Sequence, residues 1–99
     1  MEKALYSGMS YGGKVMYNPT KNELKEATID VLKKENDECT TKFINYQVAK
    51  KLNLSEEYLL LEDESGIETV YSYRMRWIRT ELKKEGKIKN IKRGIWRIA

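Results

Sequence analysis

The sequence predicts an α+β fold, mainly α, with three main helices, one short strand and a C-terminal β-hairpin. Apolar residues recur at helical spacing in three segments, about 21–35, 42–52 and 69–85. Beyond Gly86 the pattern shortens to two brief apolar runs around a Lys92-Arg93-Gly94 bend, the signature of a hairpin. The chain of 99 residues has the length of one domain. Helix, short strand, helix, helix, hairpin is the order of a winged helix.

Each element follows from local chemistry. Thr20 and Glu23 have the spacing of a capping box, and Leu24, Ala27 and Val31 then give the first helix one buried face, with Asn36-Asp37 as its stop. Cys39-Thr40-Thr41 predicts a small strand. The second helix, about 42–52, turns Phe43 or Ile44, Val48 and Leu52 inward and places Lys50 and Lys51 in its last turn, where cations suit the helix dipole. Ser55 caps a short helical turn through Leu61, and Glu62-Asp63-Glu64-Ser65-Gly66 reads as a loop. In the third long helix Tyr71, Met75, Ile78 and Leu82 fall on one continuous face, and Gly86 is its stop. Trp77 and Trp96 are expected to pack in the core where this helix meets the hairpin, with Trp77, off the main apolar face, bridging to the first helix or the short strand. Residues 20–99 thus form the winged-helix domain, and residues 1–19, with Gly8, Gly12, Gly13 and the Asn18-Pro19 turn, form an arm or a short strand pair.

The net charge of +4 is unevenly distributed. Residues 1–73 carry nine Lys or Arg against thirteen Asp or Glu, whereas residues 74–97 carry ten Lys or Arg against only Glu81 and Glu85. A basic quarter on an acidic body is an oriented field that favours a polyanion on one side.

Several function classes find no support. The chain has no His, which removes the usual general base and the commonest metal ligand. Cys39 stands alone, so neither an intrachain disulfide nor a thiolate metal cluster is expected. Gly12-Gly13-Lys14 lacks the rest of a phosphate-binding loop. Glu23-Leu24-Lys25 and Glu81-Leu82-Lys83 have the E-x-K form of certain nuclease cores, but both lie on helices and read as surface pairs. No enzyme activity, cofactor or metal is expected. No apolar run approaches the roughly 18 residues that a membrane span requires, and the cytoplasm is the expected location.

From Ser65 to Ile98 the sequence resembles the N-terminal domain of Mrr-type restriction endonucleases. Arg74-Met75-Arg76-Trp77, Leu82-Lys83-Lys84-Glu85-Gly86 and Arg93-Gly94-Ile95-Trp96-Arg97 carry the resemblance, and Ala49 to Glu57 extends it, so that it spans about residues 20–98. The sequence departs from such domains at Tyr73, where Asn is frequent. The resemblance implies a winged helix that recognises DNA beside a separate nuclease domain, here expected on a partner subunit.

On that reading the helix of about 69–85 enters the major groove and the hairpin of about 87–98 is the wing. Thr69, Ser72, Tyr73 and Arg76 are expected to face bases, and Arg79 and Lys83, on a solvent-shifted stripe, to face phosphates. Lys89, Lys92 and Arg93 are expected to grip the backbone beside the site. A homodimer on double-stranded DNA is expected, since two copies reach two half-sites. The alternative is a protein-interaction or dimerisation module without DNA, with Tyr6, Met9, Tyr11, Met16 and Tyr17 of the arm as its contact surface.

Overall fold

The computed structural model describes residues 10–11 and 14–99. Expectations for Tyr6, Met9, Gly8, Gly12 and Gly13, and for the Tyr11 side chain, lie outside the described residues. Two short strands, β1 (Ser10–Tyr11) and β2 (Lys14–Val15), pair antiparallel. Met16 then enters the core at 6% exposure, and Pro19 is fully buried.

Helix α1 (Lys21–Glu35) begins with the predicted reciprocal cap. The Glu23 N–H donates to Thr20 Oγ1 at 3.1 Å, and the Glu23 carboxylate accepts from the Thr20 N–H at 2.8 Å and from the Tyr17 hydroxyl at 2.8 Å. The Thr20 N–H, more than the Tyr17 hydroxyl, holds this carboxyl below the ordinary carboxylate range despite partial burial. Leu24, Ala27, Thr28, Val31 and Leu32 form the buried face, and Asn36 closes the helix in the left-handed conformation at φ 50°.

Strand β3 (Cys39–Thr40) leads directly into α2 (Thr41–Lys51), capped by the Thr40 hydroxyl. Of the two candidates at its start, Ile44 is fully buried and Phe43 only partly so. Ser55 caps the four-residue α3 (Glu56–Leu59), whose Tyr58 is fully buried. The third long periodic segment becomes α4 (Val70–Lys84), with Thr69 as its cap and Tyr71, Met75, Ile78 and Leu82 buried as predicted.

Gly86, at φ +78°, turns the chain into β4 (Ile88–Lys92), which pairs with β5 (Ile95–Ile98). The sheet order is β3-β5-β4, antiparallel throughout. Cys39 lies opposite Trp96 and Thr40 opposite Ile95, so the last strand is held between the strand that leads into α2 and its own hairpin partner. The register slips by one residue at Ile91, between Asn90 and Lys92. This bulge is bridged by the Asn90 amide, which donates to the carbonyls of Lys92 and Ile95. The molecule is therefore a mainly helical α+β domain, with four helices and a three-stranded antiparallel sheet among the described residues, in winged-helix-like order. No helix among the described residues is long and apolar enough to cross a membrane.

Candidate nucleic-acid interface

The basic quarter of the sequence maps onto α4 and the β4–β5 hairpin, and tertiary packing sorts its cations into two groups. The first group is engaged by the protein itself. Arg74 Nη1 donates to Asn18 Oδ1 at 2.9 Å, to the Pro19 carbonyl at 2.8 Å and to the Tyr58 hydroxyl at 3.2 Å, which fastens the segment before α1 to α4.

Arg79 also belongs to this group, and here the structure corrects the expectation. Periodicity sets its stripe toward solvent and phosphates, yet the side chain is only 7% exposed. Nη1 donates to Asn45 Oδ1 of α2 at 2.8 Å, and the guanidinium lies 5.7 Å from the Trp96 ring centroid. Its Nε is buried with no hydrogen-bond partner among the described residues. Burial lowers its pKa, the nearby Tyr71 opposing. The physical cause is that α2 and β5 both flank α4 on the side of Arg79, and close over it. The guanidinium is weakly hydrated and planar enough to lie between an amide oxygen and an indole face.

The opposite correction applies to Trp77. Instead of packing in the core and bridging toward α1 or the short strand, it is 49% exposed. On that flank of α4 the contact with α1 is made by charges: Lys25 Nζ lies 3.0 Å from Glu81 and 2.6 Å from Glu85, and Lys21 Nζ 3.2 Å from Glu81. Glu81, on α4, is thus committed to an ion-pair network, while Leu82 beside it is fully buried. Trp77 instead meets Tyr73 edge to face, with ring centroids 6.5 Å apart. Trp96 does pack against the core, and its Nε1 donates to Thr41 Oγ1 at 3.1 Å.

The second group of cations remains at the surface. Arg76, Lys83, Lys89, Lys92 and Arg93 are all exposed. Arg76 Nη2 lies 2.7 Å from Glu68 Oε2, and its guanidinium is 5.3 Å from the Tyr73 ring centroid. Thr69 and Ser72 are half-buried and tied into the cap, where Thr69 Oγ1 accepts from the Ser72 N–H at 3.0 Å. Tyr73 is 44% exposed. In the hairpin, the Arg93-Gly94 turn carries Gly94 at φ +76°, and the Gly94 carbonyl accepts from the Thr41 N–H at 3.0 Å. That bond anchors the hairpin turn to the start of α2.

Arg97, which no local sequence signal marks out, lies on the same hairpin. The register sets it opposite Lys89 across β4–β5. Two like charges at directly opposed positions weaken a strand pair. Only the one-residue slip at Ile91 fixes this alignment, and the sequence carries no direct sign of it.

The loop entering α4 is well braced for its length. Asp63 Oδ1 accepts from the Ser65 hydroxyl at 2.6 Å, the Ser65 N–H at 3.0 Å and the Gly66 N–H at 3.1 Å, with the Ser65 hydroxyl foremost in lowering the Asp63 pKa. An antiparallel bridge between Glu62 and Thr69 closes it. Among the described residues no group of three or more His, Cys, Asp or Glu side chains is arranged to hold a metal ion.

Fold and surface together define a winged-helix-like domain in which Lys83, Lys89, Lys92 and Arg93 of the basic quarter stay exposed on the last helix and hairpin, with no ion pair among the described residues. The Mrr N-terminal domain family matches residues 22–99, and the chain belongs to that family. Membership associates it with Mrr-type restriction systems. No curated protein and no solved structure matches the chain.

Proposed function

We propose that this chain is a double-stranded DNA-binding module, the targeting piece of an Mrr-type restriction system, with α4 as its recognition helix and the β4–β5 hairpin as its wing. The observation that carries the reading is the sorting of the cations. Where Arg74 and Arg79 are consumed by the fold, Lys83, Lys89, Lys92 and Arg93 make no ion pair among the described residues and stay exposed on the two elements that a winged helix offers to a duplex. Arg97, facing Lys89, adds to the wing. In this reading Lys83, Lys89, Lys92 and Arg93 contact phosphates, Thr69, Ser72, Tyr73 and Arg76 lie toward bases, and Arg79 acts as a buried support. The module has no nuclease activity of its own; chemistry comes from a nuclease domain or subunit, and two copies bind two half-sites.

Fluorescence anisotropy with a labelled duplex across a salt series tests this. Log affinity should fall against log salt with a slope of about −3 to −6, corresponding to roughly four to six neutralised phosphates. Absence of binding even at low salt would remove the reading. A second reading, a protein-docking module, is favoured by one observation: the edge-to-face Tyr73–Trp77 pair stands half out of the surface of α4. Wild type that binds no duplex at low salt but self-associates in sedimentation, with Trp77→Ala losing the self-association, would support it.

A further inference from the structure

We infer that Arg76 reads a guanine, and that Glu68 and Tyr73 are positioning residues that hold its guanidinium toward the base rather than toward a phosphate. This rests on the DNA-binding reading above. Of the three arginines on α4, Arg74 and Arg79 are turned into the protein, and Arg76 alone keeps its head outside, with its side chain 53% exposed. Helical side chains lean toward the N-terminus of their helix. Arg76 does so, since it meets Glu68 before the first turn and Tyr73 one turn back. That is the end of a recognition helix that approaches base edges first.

The two contacts restrain the guanidinium without exhausting it. Glu68 takes one donor through Nη2 at 2.7 Å, and Tyr73 lies against the cation 5.3 Å from its ring centroid. An arginine has five N–H donors, so a two-pronged approach to guanine O6 and N7 remains available. The same carboxylate selects the partner. Glu68 follows Glu62, Asp63 and Glu64 in the loop that enters α4, and this acidic edge repels phosphate oxygens. A neutral base edge with two acceptors suffers no such repulsion. Lys83, Lys89, Lys92 and Arg93 carry no acidic partner among the described residues, and they are left to the backbone.

The test is selection from a pool of duplexes with a randomised centre, followed by binding and salt-series measurements on the enriched sequence. Wild type should enrich a guanine at one position. Arg76→Ala and Arg76→Lys should lower the preference for that guanine roughly tenfold, the scale of discrimination that a two-pronged hydrogen bond supplies, while the salt slope stays near that of wild type. Glu68→Ala should tighten binding to all duplexes by removing a negative charge, and yet blunt the guanine preference several-fold. Glu68→Gln, which keeps an acceptor, should retain most of it, and Tyr73→Leu should blunt it as well. Far-ultraviolet dichroism checks that each variant is folded. If Arg76→Ala enriches the same bases as wild type, or binds with a slope about one unit shallower as a phosphate-binding residue would, the inference is overturned. A Glu68→Ala protein with undiminished guanine preference overturns the positioning role. Wild-type binding without any base preference also overturns the inference and leaves the DNA-binding reading intact, whereas no duplex binding at all removes both.

Discussion

Arg79 and Trp77 exchange the places that their chemistry suggests, and each exchange can be measured. A buried guanidinium whose amide partner is removed keeps its desolvation cost. Asn45→Ala should therefore destabilise the fold by about 2 kcal/mol, the scale of a hydrogen bond to a charged group, read as a shift in the urea midpoint. Arg79→Ala should lower stability likewise and leave the slope of log affinity against log salt unchanged, because Arg79 meets Asn45 and Trp96 rather than a ligand. A shallower slope in Arg79→Ala would return this residue to the phosphate-facing set. Trp77→Ala should cost under about 1 kcal/mol, well short of the roughly 3–5 kcal/mol of a core Trp, since half of the ring is already exposed.

At the scale of elements, caps and turns set the boundaries. Glu23 belongs to the cap of α1, and its depressed pKa ties helix stability to pH. With the folded value below the ordinary value of 4.5, the contribution is fully present above pH 4.5 and is lost as pH falls through the depressed value. Wild type should be more stable than Glu23→Gln at pH 7, and the gap should close on acidification below pH 4.5, as followed by thermal melts of both proteins. In the hairpin, Gly94 has a left-handed φ of +76°, and beyond its two chain neighbours no atom of the described residues lies within 4 Å of where a Cβ would stand. Gly94→Ala therefore meets backbone strain without a clash, and should cost about 1 kcal/mol. Because the Gly94 carbonyl receives the Thr41 N–H, the same variant should accelerate amide exchange at Thr41. These boundaries are legible in the sequence: Thr20 with Glu23, Ser55 before two glutamates, Gly86 after Lys83-Lys84, and Gly94 in a bend are all local signals. The helix limits move by only a residue or so, Thr69 serving as a cap instead of a first turn.

For the whole molecule, one core joins all four helices to the sheet, from Leu24 and Leu32 on α1 through Ile44, Tyr58 and Met75 to Ile88 on β4. Leu24→Ala should cost about 3 kcal/mol, a large share of the roughly 5–15 kcal/mol that stabilises a domain. Guanidinium denaturation would show it. The surface cations should behave in the opposite way. Lys92→Ala combined with Arg93→Ala should leave the denaturation midpoint almost unchanged, yet make the salt dependence of duplex binding shallower by about two units, one for each phosphate that is no longer neutralised. On the proposed function, stability and ligand binding fall to different members of one basic segment, and the two assays separate them.

What the amino-acid sequence determined by itself was the ladder of elements, the buried faces of α1 and α4, and the gathering of positive charge in the last quarter of the chain. Periodicity, capping and charge are properties of neighbouring residues, so they survive without a partner element. Tertiary structure alone decided which cations face outward. Arg76 and Arg79 are three positions apart on one helix and differ little by angle around it. Their fates diverge because α2 and β5 close over one, while an acidic loop and Tyr73 frame the other in the open. The pairing of Lys89 with Arg97 was likewise hidden, because a single bulged residue sets the register of the hairpin. Burial of a side chain at the margin of a helix face depends on what packs beside that face, and that is fixed by segments distant in sequence.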